Sequence, residues 1–202
     1  MSTLRTVGPL AALLCVIFAS ALEGKPPPNQ PGTYQDWDGT LDQVTIVRSF
    51  KSASYGRIVV PVLETKAVQL PSAKDNTFKA VKEVLGHSTE KFSEGIKRDL
   101  RDKQKLVRIG EPQGADELII RGRVLTMDPG SQAARYWAGF SAGAARVMIS
   151  GEIIDGRTKT VLVRFKQERR SGAGLLGGGY HAVLDRSLRE IGEDVASLLN
   201  AM

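Results

Sequence analysis

Two stretches of the chain have the residue types and spacing of reactive sites. The first is Gly139-Phe140-Ser141-Ala142-Gly143, which reads G-x-S-x-G. In a nucleophile elbow this pattern places the serine on a sharp strand-to-helix turn, so that its hydroxyl stands clear and backbone N–H groups form an oxyanion hole. Asp155 and His181 follow in the order of a Ser-Asp-His triad. The local context is reversed, however. A small-residue, helix-compatible run over 131–137 precedes Ser141, and an alternating strand pattern follows it. An exported serine hydrolase using Ser141 is therefore the alternative reading. The second stretch is Gly172-Ala173-Gly174-Leu175-Leu176-Gly177, which reads G-x-G-x-x-G. Such glycines bring the backbone close to a pyrophosphate at a helix N-terminus, inside a βαβ unit with an acidic residue on its second strand. Here the motif follows an antiparallel hairpin pattern and precedes a single helix, so it reads as a flexible connection. No nucleotide partner and no cofactor are expected.

Metal and thiol chemistry are poorly supplied. One Cys and two His cannot make a Cys/His zinc site, an iron–sulfur cluster or an internal disulfide framework. No metal site is expected. His87 precedes a helix start and reads as a turn residue; His181 opens the last helix with no carboxylate next to it in sequence. Basic residues cluster at Lys97, Arg98, Arg101, Lys103, Lys105 and Arg108, and again at Arg164, Lys166, Arg169 and Arg170. Interleaved Asp99 and Asp102 make the first cluster a solvated charged face. Anionic headgroups or an acidic wall polymer would suit the same electrostatics.

The elements that must position these groups begin after an address. Arg5 is the only charge before Glu23, residues 7–21 are almost wholly apolar, and the run closes on Ala19-Ser20-Ala21. That apolar core is too short to span a bilayer and has the small-x-small pattern of a signal peptidase site. Residues 1–21 are read as a signal peptide, which removes nucleic acid from the expected partners and places the protein in the periplasm or cell envelope. Cys15 offers a lipid-anchor alternative, but Leu14 before it departs from the small residue such sites favour. Residues 22–40, with Pro26, Pro27, Pro28 and Pro31, read as a Pro-rich tether in which Asp36, Asp38 and Gly39 form a turn. The remaining 41–202 are read as one domain. With 42% hydrophobic residues, 25% charged residues and a formal charge of +6, the 202-residue chain excludes collagen-like, coiled-coil and wholly disordered classes.

Within the domain, hydrophobic periodicity predicts a short strand around Val44–Val47 and a strand buried on both faces over 56–64. A polar stretch with Pro71 follows. Ser88 then caps a helix whose Phe92, Ile96 and Leu100 form one stripe. Strands follow over 105–109, 118–127, 146–155 and 161–165, with Asp155-Gly156 opening a tight turn. An amphipathic helix over 182–199 closes the chain. The order β-β-α-β-β-β-β-α predicts an α+β two-layer sandwich, a mixed and mostly antiparallel sheet with two helices packed on one face.

Between the two clearest strands lies the least ordinary segment, 127–146. Nearly half of it is Ala or Gly, and it carries Tyr136, Trp137 and Phe140, three of the chain's twelve aromatics. Aromatic rings among small residues suit close packing against a partner backbone or a membrane interface. The run Asp128-Pro129-Gly130-Ser131-x-Ala133-Ala134-Arg135-Tyr136, followed by Gly139-Phe140-x-Ala142-Gly143-x-Ala145-Arg146-Val147, resembles a family of uncharacterised exported bacterial proteins, domain of unknown function 4410. The resemblance covers roughly 56–202. It implies residence in the cell envelope and brings no catalytic residues with it. The expectation is a non-enzymatic accessory module that contacts an envelope protein or membrane surface through Arg135, Tyr136, Trp137 and Phe140. A self-associating envelope module is a further alternative.

Overall fold

The computed structural model describes residues 29–130, 144–171 and 179–202. Seven strands form one sheet: β1 (Gly32–Trp37), β2 (Leu41–Ile46), β3 (Arg57–Val60), β4 (Leu106–Ile109), β5 (Glu117–Asp128), β6 (Ala145–Asp155) and β7 (Val161–Ser171). Three helices accompany them: α1 (Phe78–Gly86), α2 (Ser88–Asp99) and α3 (Tyr180–Ala201). The sheet order is β1-β2-β7-β6-β5-β3-β4. The first five strands in that order pair antiparallel, and β3 runs parallel to both β5 and β4. The sheet is thus mixed and mostly antiparallel, and the class is α+β, as the periodicity predicts.

The period-two alternation explains where the core sits. Val147, Ile149 and Ile153 on β6, Val163 and Phe165 on β7, and Leu118, Ile120 and Val124 on β5 belong to one cluster. Phe92 and Ile96 of α2 and Leu184, Leu188, Ile191 and Val195 of α3 complete it. Each such buried side chain contributes about 1.5–3 kcal/mol by leaving water. In β3 and the start of β5 the other face is closed too, since Val59 and Ile119 are also buried. That accounts for the continuous apolar run read over 56–64. The β6–β7 turn is held by Asp155, whose carboxylate accepts the N–H groups of Arg157 and Thr158 at 2.8 and 2.9 Å.

Helices α2 and α3 touch backbone to backbone. A Cβ at Gly95 would lie 2.0 Å from the Arg189 carbonyl oxygen, and one at Gly192 only 2.2 Å from that of Phe92. The two glycines, one on each helix, are what allows this close crossing.

Three features correct the expected layout. Among the described residues there are three helices, where two were expected: α1 lies in the stretch read as polar, burying Ala80, Val81 and Val84. Its apolar stripe spans little more than one turn and abuts α2 through His87, so the periodicity is too short to stand out. The sheet also reaches into the segment read as a tether. Asn29 exchanges side-chain hydrogen bonds with the Phe50 backbone, β1 pairs with β2 from Gly32↔Ile46 to Trp37↔Leu41, and Trp37 is buried with its ring edge-on to Tyr34 at 4.9 Å. Finally, β7 continues past Phe165 to Ser171 because β6 pairs with it throughout, from Ala145↔Ser171 onward. Its polar side chains hid that continuation.

Candidate partner-binding site

The sequence-predicted contact residues Arg135, Tyr136, Trp137 and Phe140 lie outside the described residues, as do Ser141 and the glycine motif 172–177. The structure does fix the stems from which both segments depart. Asp128 pairs with Arg146 as the last rung of the β5–β6 ladder, and Ala145 pairs with Ser171 on the β6–β7 side. The 127–146 connection and the Gly-rich connection after Ser171 therefore leave the sheet at one end, from three adjacent strands. Nothing in the sequence links these two stretches; the shared register of β5, β6 and β7 brings their stems together.

This end is built from ordinary local preferences. Asp128 turns the chain by accepting the Gly130 N–H at 2.8 Å, and Gly130 takes a left-handed φ of 74°. Beside it runs an open groove of about 510 Å³, with Leu70, Pro71, Leu125, Met127, Pro129 and Arg146 along its walls. Leu70 is half exposed there. Behind the β7 stem, Ser171 and Ser187 share a hydrogen bond of 2.9 Å. Arg169 clasps Asp194 of α3 through two hydrogen bonds, one of 2.8 Å. Burial pushes the Asp194 carboxyl up, against the pull of that guanidinium. The β7 stem is thus braced to α3.

Both histidines acquire carboxylate partners that sequence proximity could not reveal. His87 Nε2 lies 2.8 Å from Asp185 Oδ1, and His181 Nε2 lies 2.7 Å from Glu83 Oε2. Glu83 and His87 stand four residues apart beside α1, and His181 and Asp185 four apart on α3, so the pairs form two rungs between these elements. The hydrogen bond from His181 holds the Glu83 carboxyl below its ordinary range.

The two described residues named for a triad, Asp155 and His181, each have other partners. His181 is engaged with Glu83, while Asp155 accepts hydrogen bonds from the Tyr55 hydroxyl at 3.0 Å and from its own turn. Burial and that carboxylate push the Tyr55 hydroxyl up to about 12. Asp155 also sits at the far end of β6, about 30 Å along the strand from Ala145. Among the described residues no group of three His, Cys, Asp or Glu side chains is placed to hold a metal, and no helix is long and apolar enough to cross a membrane.

Several solved structures align with this chain. The PelC dodecamer from Paraburkholderia phytofirmans aligns at 10% identity and a TM-score of 0.47, covering 75% of this chain and 94% of that one. Protein XCC0632 from Xanthomonas campestris, of the DUF330 family, aligns at 11% identity and 0.43, covering 72% and 85%. Protein CT253 from Chlamydia trachomatis aligns at 13% identity and 0.43, covering 72% and 99%. No curated protein matches the chain. The model of the family described as Domain of unknown function (DUF4410) matches residues 58–174, a span that includes β3 to β7 and the whole 127–146 segment, and the chain belongs to that family.

Proposed function

We propose that the protein is an exported cell-envelope module without enzymatic activity, which binds an envelope protein through the Gly/Ala/aromatic segment 127–146. The observation that carries this reading is the common departure point of two Gly-rich connections from one sheet end, at Asp128, Arg146 and Ser171, beside the groove of Leu70 and Leu125. A rigid scaffold presenting long connections is the usual arrangement for a contact surface. The aromatic residues Tyr136, Trp137 and Phe140 are the types that dominate the energetics of such contacts, with Arg135 beside them. The leader pattern of residues 1–21 supplies the compartment.

The test is capture of envelope proteins by the purified chain under crosslinking. The double variant Tyr136→Ala with Trp137→Ala should lose the crosslinked species, by about tenfold or more, while its unfolding midpoint stays at the wild-type value. Undiminished capture by the double variant would remove the contact assignment.

A further inference from the structure

The sheet has a second face, and its chemistry is that of a binding surface. The helices cover the side that carries Val147, Ile149, Val163 and Phe165; of the alternate residues, Arg164, Lys166 and Arg170 on β7 are exposed and Arg146, Ser150 and Glu152 on β6 are partly exposed. The ladder register arranges them in rows across five strands. One row runs Arg121, Glu152, Arg164, Thr45 and Thr33, and the next runs Arg123, Ser150, Lys166, Gln43 and Gln35. Beyond them Arg146 faces Arg170. Neighbouring strands are about 4.8 Å apart and successive rows about 6.7 Å apart, so the six cations occupy a compact, nearly flat area.

Carboxylates are interleaved with these cations. Glu168 is 14% exposed beside Arg170 at 69%, Glu152 is 32% exposed beside Arg164 at 56%, and Glu64 is 47% exposed beside Arg123 at 53%. In each pair the guanidinium stands further out than its carboxylate. Arg121, Arg146 and Lys166 have no ion-pair partner among the described residues, and of the two further carboxylates Asp128 spends one oxygen on the Gly130 amide and Asp42 one on the Glu168 amide. A groove of about 570 Å³ crosses the face, lined by Gln35, Asp42, Gln43, Met148, Lys166, Glu168, Arg169 and Arg170.

We propose that this face binds an anionic polysaccharide, with carboxylate-bearing sugars as the ligand class. Guanidinium groups suit planar carboxylates through paired N–H donors. The interleaved Gln35, Gln43, Thr45 and Ser150 offer both donors and acceptors to sugar hydroxyls. Competing polyanions fit less well. The two rows carry no aromatic ring on which an unpaired base would stack, and no fully exposed apolar side chain to enter a bilayer. Five of the six cations, Arg121, Arg123, Arg164, Lys166 and Arg170, lie on the strands outside the 127–146 segment, and the inference does not rest on partner capture there.

The experiment measures binding of the purified protein to polygalacturonate at low and at physiological salt, beside neutral dextran, phosphatidylglycerol vesicles and a single-stranded oligonucleotide. The proposal expects binding to polygalacturonate alone, weakened by salt because exposed charges are screened. The pair Arg121→Gln with Lys166→Gln should weaken it by about tenfold or more. Lys97→Gln with Arg101→Gln, an equal charge change on the helix side, should weaken it by less than about twofold. Unfolding midpoints confirm that each variant is folded, and single Lys166→Gln replaces the pair if it is not. Absence of polygalacturonate binding, equal losses in the two double variants, or tighter binding of vesicles or oligonucleotide would each overturn the proposal.

Discussion

Glu117 shows how one side chain can settle a loop. It is buried at the start of β5, and its Oε2 accepts the backbone N–H groups of Gly114 and Gln113 at 2.9 and 2.7 Å, with Arg108 3.4 Å from the other oxygen. Those amide bonds, Gly114's first, hold its carboxyl below the ordinary range. A carboxyl depressed on folding stabilises the protein above its unfolded value and loses that contribution as pH falls through its folded value. Glu117→Ala removes the charged acceptor of two part-buried amides and should cost about 1–3 kcal/mol in urea unfolding at neutral pH. The gap between variant and wild type should shrink as pH falls below about 4. A gap independent of pH would show that the ionised carboxylate is not what holds the loop. None of this was legible in the sequence, where Glu117 is one acid before an apolar run. The two histidine rungs were equally hidden, because each partner lies 98 positions away.

At the scale of elements, the α2–α3 crossing is the contact most open to test. Gly192→Ala places a methyl 2.2 Å from a backbone oxygen that cannot rotate away, so the helices must separate along a packed seam. A loss of about 1–3 kcal/mol is expected, read as a lowered thermal midpoint. Gly86→Ala near the end of α1 meets nothing within 4 Å and should be neutral or stabilising, by up to about 1 kcal/mol. Equal effects at the two sites would mean that helix propensity rather than close approach is being measured. The elements that were legible are those whose pattern is long. Strands β5 and β6 alternate over most of their length, and α3 carries an apolar stripe through 22 residues. Those that were not are β1, whose residues are mostly polar and which is fixed by pairing and by Trp37, and α1, whose burial comes from tertiary packing of a single turn. For the candidate site, the segment 127–146 could be singled out by composition. Its convergence with the connection after Ser171 could not, because register is a property of the assembled sheet.

The whole molecule is two-sided. One face of the sheet is spent on the apolar core shared with α2 and α3, and the other presents cations interleaved with carboxylates, while the two Gly-rich connections leave from one end. Such an arrangement suits a module that meets partners on more than one side, and it has its use only in the compartment where those partners are. The most direct measurement is therefore fractionation of the protein from a bacterial host, with intact mass and a Cys15→Ser control. The account predicts an exported species beginning near Leu22, unchanged in the control. A full-length species retained in the cytoplasm would contradict the envelope role outright.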